Sequence, residues 1–280
     1  MRVFIFLITV FCATEAQDDL LDLIDDGSSS PSIPVEATFK ATRIVNAQSI
    51  ELSRPQTLEF MILHRFGSMQ NRFYDLFGMD EAAIRFDLKY GLSDRLSFGL
   101  GRSSLNKTYD IFTKIKIAKQ TSGSNPFPVS LVLFSKIEIE TIIKGIDIAD
   151  RLTYDLQVLM ARKFNRSFSL QIMPTLIHTN LVDTLDDPND LLSCGFGGRI
   201  KMTNRTSFNF DTFLPISKRQ ESFKQSWGIG VDIDTGGHVF QLMLTNAQGS
   251  FESQYIEQAS GGIQNFNLFL GFNITRVFTL

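Results

Sequence analysis

The sequence predicts an all-β fold: a transmembrane, antiparallel, up-and-down β-barrel of about twelve strands, with a short irregular N-terminal segment. Three observations predict it. From Leu58 onward apolar and polar residues alternate with period two, the spacing of strands and not of helices. Connections between the alternating stretches are by turns short and long. After the N-terminal leader no stretch approaches about 18 uninterrupted apolar residues. The mature chain is therefore either soluble after export or crosses a membrane with strands.

The chain opens as an address. Arg2 precedes Val3 to Ala13, an apolar core of about 11 residues, within the range of a signal peptide and short of the about 20 that span a bilayer. Ala16 before Gln17 is the expected cleavage point, giving a signal peptide over 1–16, with Ala13 as the second choice. Phe11 before Cys12 argues against lipidation, which favours a small residue there. Residues 17–56 read as an acidic, linker-like periplasmic segment and a candidate plug. Asp18 to Asp26 is acidic, and Gly27 to Pro34 has linker composition. The barrel is expected over 57–280.

The strands follow from their alternation. In Ala82–Ser93, Ala82, Ile84, Phe86, Leu88, Tyr90 and Leu92 share one face, and Arg85, Asp87 and Lys89 lie on the other. Reading this pattern onward gives strands near 57–67, 82–93, 95–104, 107–119, 128–140, 151–164, 167–181, 190–203, 206–217, 225–234, 238–247 and 264–278. Pro174 and Pro215 lie inside two of these and predict a bend or irregular pairing, because proline has no N–H for the ladder. Ser93–Arg95, Asn165–Ser167, Thr203–Arg205 and Asp234–Gly237 are tight turns. Lys119–Phe127 is a longer member of the same side. Ser68–Glu81, Thr141–Asp150, Val182–Asn189, Lys218–Lys224 and Gln248–Ile263 are longer and are expected outside the cell, where only the bend near Leu105–Asn106 is short.

A soluble sandwich would also alternate, with its apolar face inward. Gly, Ser, Asn and Thr on the polar face, one regular pattern over most of the chain, and an apolar last strand ending in Phe278 and Leu280 favour a membrane barrel. Outer-membrane assembly machinery reads such a final strand, so that machinery and the outer-membrane bilayer are the expected partners. Residues predicted to line the lumen include Arg85, Asp87, Lys89, Asp110, Lys114, Lys116, Lys136, Glu138, Glu140, Asp155, Arg199, Lys201, Asp211 and Asp232. Their signs are mixed, so they form either a salt-bridged, nearly closed core or a narrow hydrated channel.

Other functions find little support. The net charge of −3 gives no basic face for nucleic acid. Two cysteines exclude a disulfide scaffold or a cysteine-rich zinc site. His64, His178 and His238 lack an obvious nucleophile partner. Asp186–Asp190 could ligate calcium but reads first as a solvated loop. The glycines near Gly99 and Gly195–Gly198 precede no helix, so they are read as room for close packing and not as phosphate loops. No cofactor, no metal and no enzymatic activity are expected.

The chain also resembles an uncharacterised Bacteroidota-type family of outer-membrane β-barrel proteins. The resemblance rests on Thr38–Arg43, Gln48–Glu51, His64–Gly67, Tyr90–Leu96, Gly101–Ser104, Lys107–Asp110, Ala161–Phe164, Thr235–Gln241 and Phe272–Phe278. It implies an outer-membrane barrel and carries no substrate or catalytic set. The expected role is a channel or porin-like conduit for small polar solutes. The alternative is a plugged structural or interaction barrel that docks a periplasmic partner, and a membrane-embedded hydrolase stands third.

Overall fold

A computed structural model describes residues 32–182, 188–217 and 223–280. The leader, the acidic stretch Asp18–Asp26 and Asp186–Asp187 lie outside the described residues. Twelve strands close into one barrel. They are β1 (Thr57–Ser68), β2 (Ala82–Ser93), β3 (Leu96–Ser103), β4 (Thr108–Ala118), β5 (Ser130–Glu140) and β6 (Leu152–Lys163). β7 (Phe168–Thr179), β8 (Asp190–Lys201), β9 (Thr206–Pro215), β10 (Ser226–Asp234), β11 (His238–Thr245) and β12 (Phe269–Thr279) complete the circuit. Each strand pairs antiparallel with its neighbours in sequence, and β12 pairs with β1 from Thr279 opposite Thr57 to Phe269 opposite Ser68. Closure leaves no unpaired edge, which a strand sheet needs in hydrocarbon.

Alternation in sequence becomes alternation in burial. In β1 every second residue, Thr57 through Gly67, is buried, and the intervening ones are half-exposed. Outward residues include Phe86, Leu88, Phe98, Leu100, Ile111, Ile137, Leu156, Ile172 and Leu242, all exposed and apolar. A continuous apolar exterior on a closed barrel is the surface that a bilayer solvates.

The structure departs from the sequence reading in four places. β12 begins at Phe269, not near 264, because Phe266 takes a positive φ of 54° and Gly262 bridges to Asn267 in a turn. Pro174 gives the irregular pairing expected of it, since Gln157 faces Thr175 and Met160 faces Ile172 with no regular β6–β7 pairs between; the second departure is at the other proline. Pro215 stands at the end of β9, where its missing N–H disturbs nothing upstream.

The third departure concerns the interior, expected to be polar. Phe112, Val132, Phe134, Leu159, Met173, Ile177, Leu191, Phe213 and Met243 are buried there in one apolar cluster. The fourth is the connection Gln248–Ile263, expected outside. It folds into the barrel, burying Phe251, Glu252, Tyr255 and Ile256. The two findings share one cause. Chain that enters a lumen brings its own apolar side chains, and these need apolar wall residues to pack against. The connection Ser68–Glu81, by contrast, projects outward, with Tyr74 92% exposed.

Candidate functional site: the occupied lumen

Residues 38–53 form a hairpin inside the barrel. Arg43 and Gln48 bridge antiparallel, and Ile44 N–H donates to the Ala47 carbonyl at 2.9 Å to close the turn. Both ends of the hairpin leave at the short-turn end. There Ile33–Pro34 pairs with Thr121–Ser122, Lys40 meets Asp234 at 2.9 Å, and Gln56 N–H donates to Gly91. Thr38 through Ile50, apart from half-buried Lys40, is buried.

Two kinds of contact hold the hairpin. Phe39, Ile44, Val45, Ala47 and Ile50 join the apolar cluster of the wall. A Cβ at Gly197 would come within 2.6 Å of the Ile44 side chain, so this glycine makes room for the tip. The polar contacts go mainly to the hairpin backbone. Asp211 Oδ2 accepts the N–H groups of Val45, Asn46 and Ala47 at 3.1, 2.8 and 2.8 Å. Lys114 Nζ donates to the carbonyls of Thr42, Ser49 and Glu51 at 2.9, 2.8 and 3.2 Å. The Gln171 amide donates to Gln48 O at 2.7 Å and accepts from Ile50 N–H at 2.9 Å. Gln241 donates to Arg43 O and Ile44 O, and Arg199 to Ala37 O and Thr38 O. Buried backbone groups require such partners, and here the wall provides them.

The inward connection meets the hairpin from the long-loop end. Glu252, at the N-cap of the π-helical turn Ser253–Glu257, accepts a hydrogen bond from Gln48 at 2.9 Å and lies 3.8 Å from Arg43 Nη2. Its other oxygen contacts Lys136. Burial would raise the Glu252 carboxyl, but Lys136, Arg43 and Arg85 outweigh it and hold the group down at about 2. Burial, reinforced by Glu252, pushes the Tyr255 phenol well above its usual range. Phe251 lies under the Arg85 guanidinium at 3.9 Å, a desolvated cation–π contact. Ser253 donates to Glu138.

Of the charges named from the sequence, Arg85, Asp87, Lys89, Asp110, Lys114, Lys136, Glu138, Asp155, Arg199, Asp211 and Asp232 are buried inside. Glu140, Lys116 and Lys201 are half-exposed. Arg85 joins Asp87 and Asp110, and Lys89 meets Glu59 at 2.9 Å. Glu138, Asp155 and Glu252 bring carboxylate oxygens within 4.8 Å of one another, a spacing a metal could use. The Lys136 ammonium already contacts all three, so the cluster holds its own cation.

The sequence reading missed Arg43, Glu59, Arg65, Gln171, Gln241 and Glu252. Glu59 and Arg65 share the inward phase of β1 with Met61 and Leu63, and Gln171 and Gln241 share that of β7 and β11, so period two could have found them. Arg43 and Glu252 lie outside the barrel strands and carried no such signal. Outside the barrel, His178 Nδ1 lies 2.8 Å from Asp190 and its ring 6.2 Å from that of Tyr154, at a strand end.

Three solved structures align with most of this chain at low identity. The KdgM porin structure superposes with a TM-score of 0.50 at 6% identity, covering 79% of this chain and 99% of that one. The NanC porin gives 0.49 at 9% identity, covering 80% and 99%. The COG4313 outer membrane channel from Pseudomonas putida F1 gives 0.49 at 12% identity, covering 86% and 100%. The first two are described as porins and the third as an outer membrane channel. No curated relative matches by sequence. Residues 39–278, the barrel together with nearly all of the inserted hairpin, match the membrane bound beta barrel domain DUF5777, and the chain belongs to that family.

Proposed function

We propose that this protein is an outer-membrane conduit for small polar solutes, closed at rest by the hairpin 38–53 and the inward connection 248–263. In this reading residues 1–16 direct export, the assembly machinery inserts the barrel, and the short-turn end faces the periplasm. One observation carries the proposal. The hairpin enters and leaves at the same end, and its polar contacts with the wall run mainly through its backbone. Such a segment can withdraw without unpairing a barrel strand. The porin use of the KdgM fold supports the same reading.

The test is a lock. A Cβ at Gly228 would lie 2.9 Å from Val45 Cγ1, so Gly228→Cys with Val45→Cys places two thiols side by side. With Cys194→Ala as background, the reduced protein should show discrete openings in planar bilayers, and the oxidised protein should lose them. Openings that persist after oxidation would show that the hairpin is not the gate.

A second reading is a plugged barrel that docks a periplasmic partner and transports nothing. It draws on the apolar cluster, which packs the hairpin as a core segment. Silence in both redox states would favour it.

A further inference from the structure

The wall holds the hairpin largely through its main chain, with side-chain contacts added at Thr42, Arg43 and Asn46. Gln171 donates to one backbone carbonyl and accepts from the N–H two residues on. Lys114 gathers three carbonyls, Gln241 and Arg199 two each, and Asp211 three successive N–H groups. None of these contacts depends on which side chains the occupant carries. Withdrawal of the hairpin would strip Lys114 and Asp211 of those bonds and leave buried polar groups seeking replacements.

Beside these groups the wall offers apolar surface. Ile44 sits over Gly197, and Phe39, Val45 and Ile50 pack in the cluster with Phe112, Met173 and Phe213. A replacement ligand must therefore present carbonyl acceptors, N–H donors and apolar side groups together. A sugar acid brings oxygens and hydroxyls but few apolar branches. A peptide brings all three. We infer that the lumen is a binding site for short peptides, read through their backbone, and that the hairpin is its built-in occupant. The inference rests on the hairpin being able to leave the lumen, as the conduit reading holds.

Competition tests it with the full chain. Ser49 is fully buried, so Ser49→Cys in a Cys194→Ala background reports hairpin exit by its rate of thiol labelling. The probe is a blocked alanine–valine tetrapeptide. Labelling should accelerate about tenfold at a concentration of about ten times the peptide's dissociation constant from the vacated lumen, as one-site competition requires while the closed form still dominates. The same peptide methylated at every amide nitrogen keeps its carbonyls and loses its donors, and it should compete far less. Hydrogen exchange of backbone amides 42–50 in the unsubstituted protein should rise with the same peptide and provides the readout if Ser49→Cys folds poorly. No acceleration in either assay, equal action of the methylated peptide, or equal action of a uronic-acid trisaccharide would overturn the inference. Bilayer conductance separates it from the conduit reading. Peptide-driven exit with a silent bilayer sinks the conduit and leaves the peptide site standing. Openings that no peptide affects do the reverse.

Discussion

Asp211 shows how one carboxylate can fasten a segment. Its Oδ2 holds the three N–H groups at the hairpin tip, all within 3.1 Å. Asp211→Ala would leave those donors buried and unpaired, at about 1–3 kcal/mol each before relaxation. The expected outcome is a lower melting temperature and faster proteolysis within 42–50, while Asp211→Asn, which keeps an acceptor oxygen, falls between. Leu88 and Lys89 make a sharper comparison. Their faces alone would rank Leu88→Arg as the worse change, since an arginine in mid-bilayer costs about 2–4 kcal/mol. Yet Lys89 Nζ is paired with Glu59 at 2.9 Å and Thr42 at 2.6 Å inside the barrel. Lys89→Leu takes the ion partner from the buried Glu59 carboxylate and leaves it only the Thr42 and Ser53 hydroxyls, where losing one partner of a buried pair costs about 3–5 kcal/mol. Refolding into vesicles should therefore show Lys89→Leu at least as damaging as Leu88→Arg.

At the scale of elements, the inward connection responds to acid. The Glu252 carboxyl lies at about 2 in the folded chain against 4.5 in the unfolded reference. A lowered folded value means that its contribution is present above the reference and disappears as pH falls through the folded value. Protease cleavage within 248–257 should be slow at neutral pH and accelerate below the reference value, and Glu252→Gln should be cleaved readily already at neutral pH. Labelling by an impermeant thiol reagent distinguishes the long connections from each other. Gln70→Cys, exposed in the Ser68–Glu81 connection, should react on intact cells, whereas Gln254→Cys, only 2% exposed, should not. Asp94→Cys and Arg166→Cys lie in turns at the opposite end and should react once the membrane is broken. Reaction of Asp94→Cys on intact cells would invert the orientation.

For the whole molecule, closure is the cooperative event. Val277, Phe278 and Thr279 pair with Glu59, Leu58 and Thr57, so removing 277–280 unpairs the start of β1 as well as shortening β12. Unsatisfied backbone in hydrocarbon costs several kcal/mol per group. The truncated chain should fail to reach the membrane fraction in normal amounts, and Phe278→Ala should be milder. Protease protection after fractionation decides the matter. Membrane insertion of the truncated chain at normal levels would confine the closure requirement to the pairs from Arg276 inward.

The barrel was legible along the chain because period two, turn composition and the lengths of connections are local properties. Residues such as Leu88 and Lys89 announce opposite faces from their neighbours alone. The inward set from Arg85 to Asp232 followed from the same phase, since one register places every second side chain on one side. What fills the barrel was not legible. Thr38–Ile50 has no strand period, and its burial depends on residues more than a hundred positions away, such as Gln171 and Asp211. Gln248–Ile263 reads as a loop by composition, yet in the lumen Tyr255 and Ile256 join the apolar cluster and Glu252 meets Lys136 and Arg43. The identity of a strand is thus a short-range matter of alternating solvents. The content of the lumen depends on long-range pairing of buried polar groups, which only the closed barrel brings together.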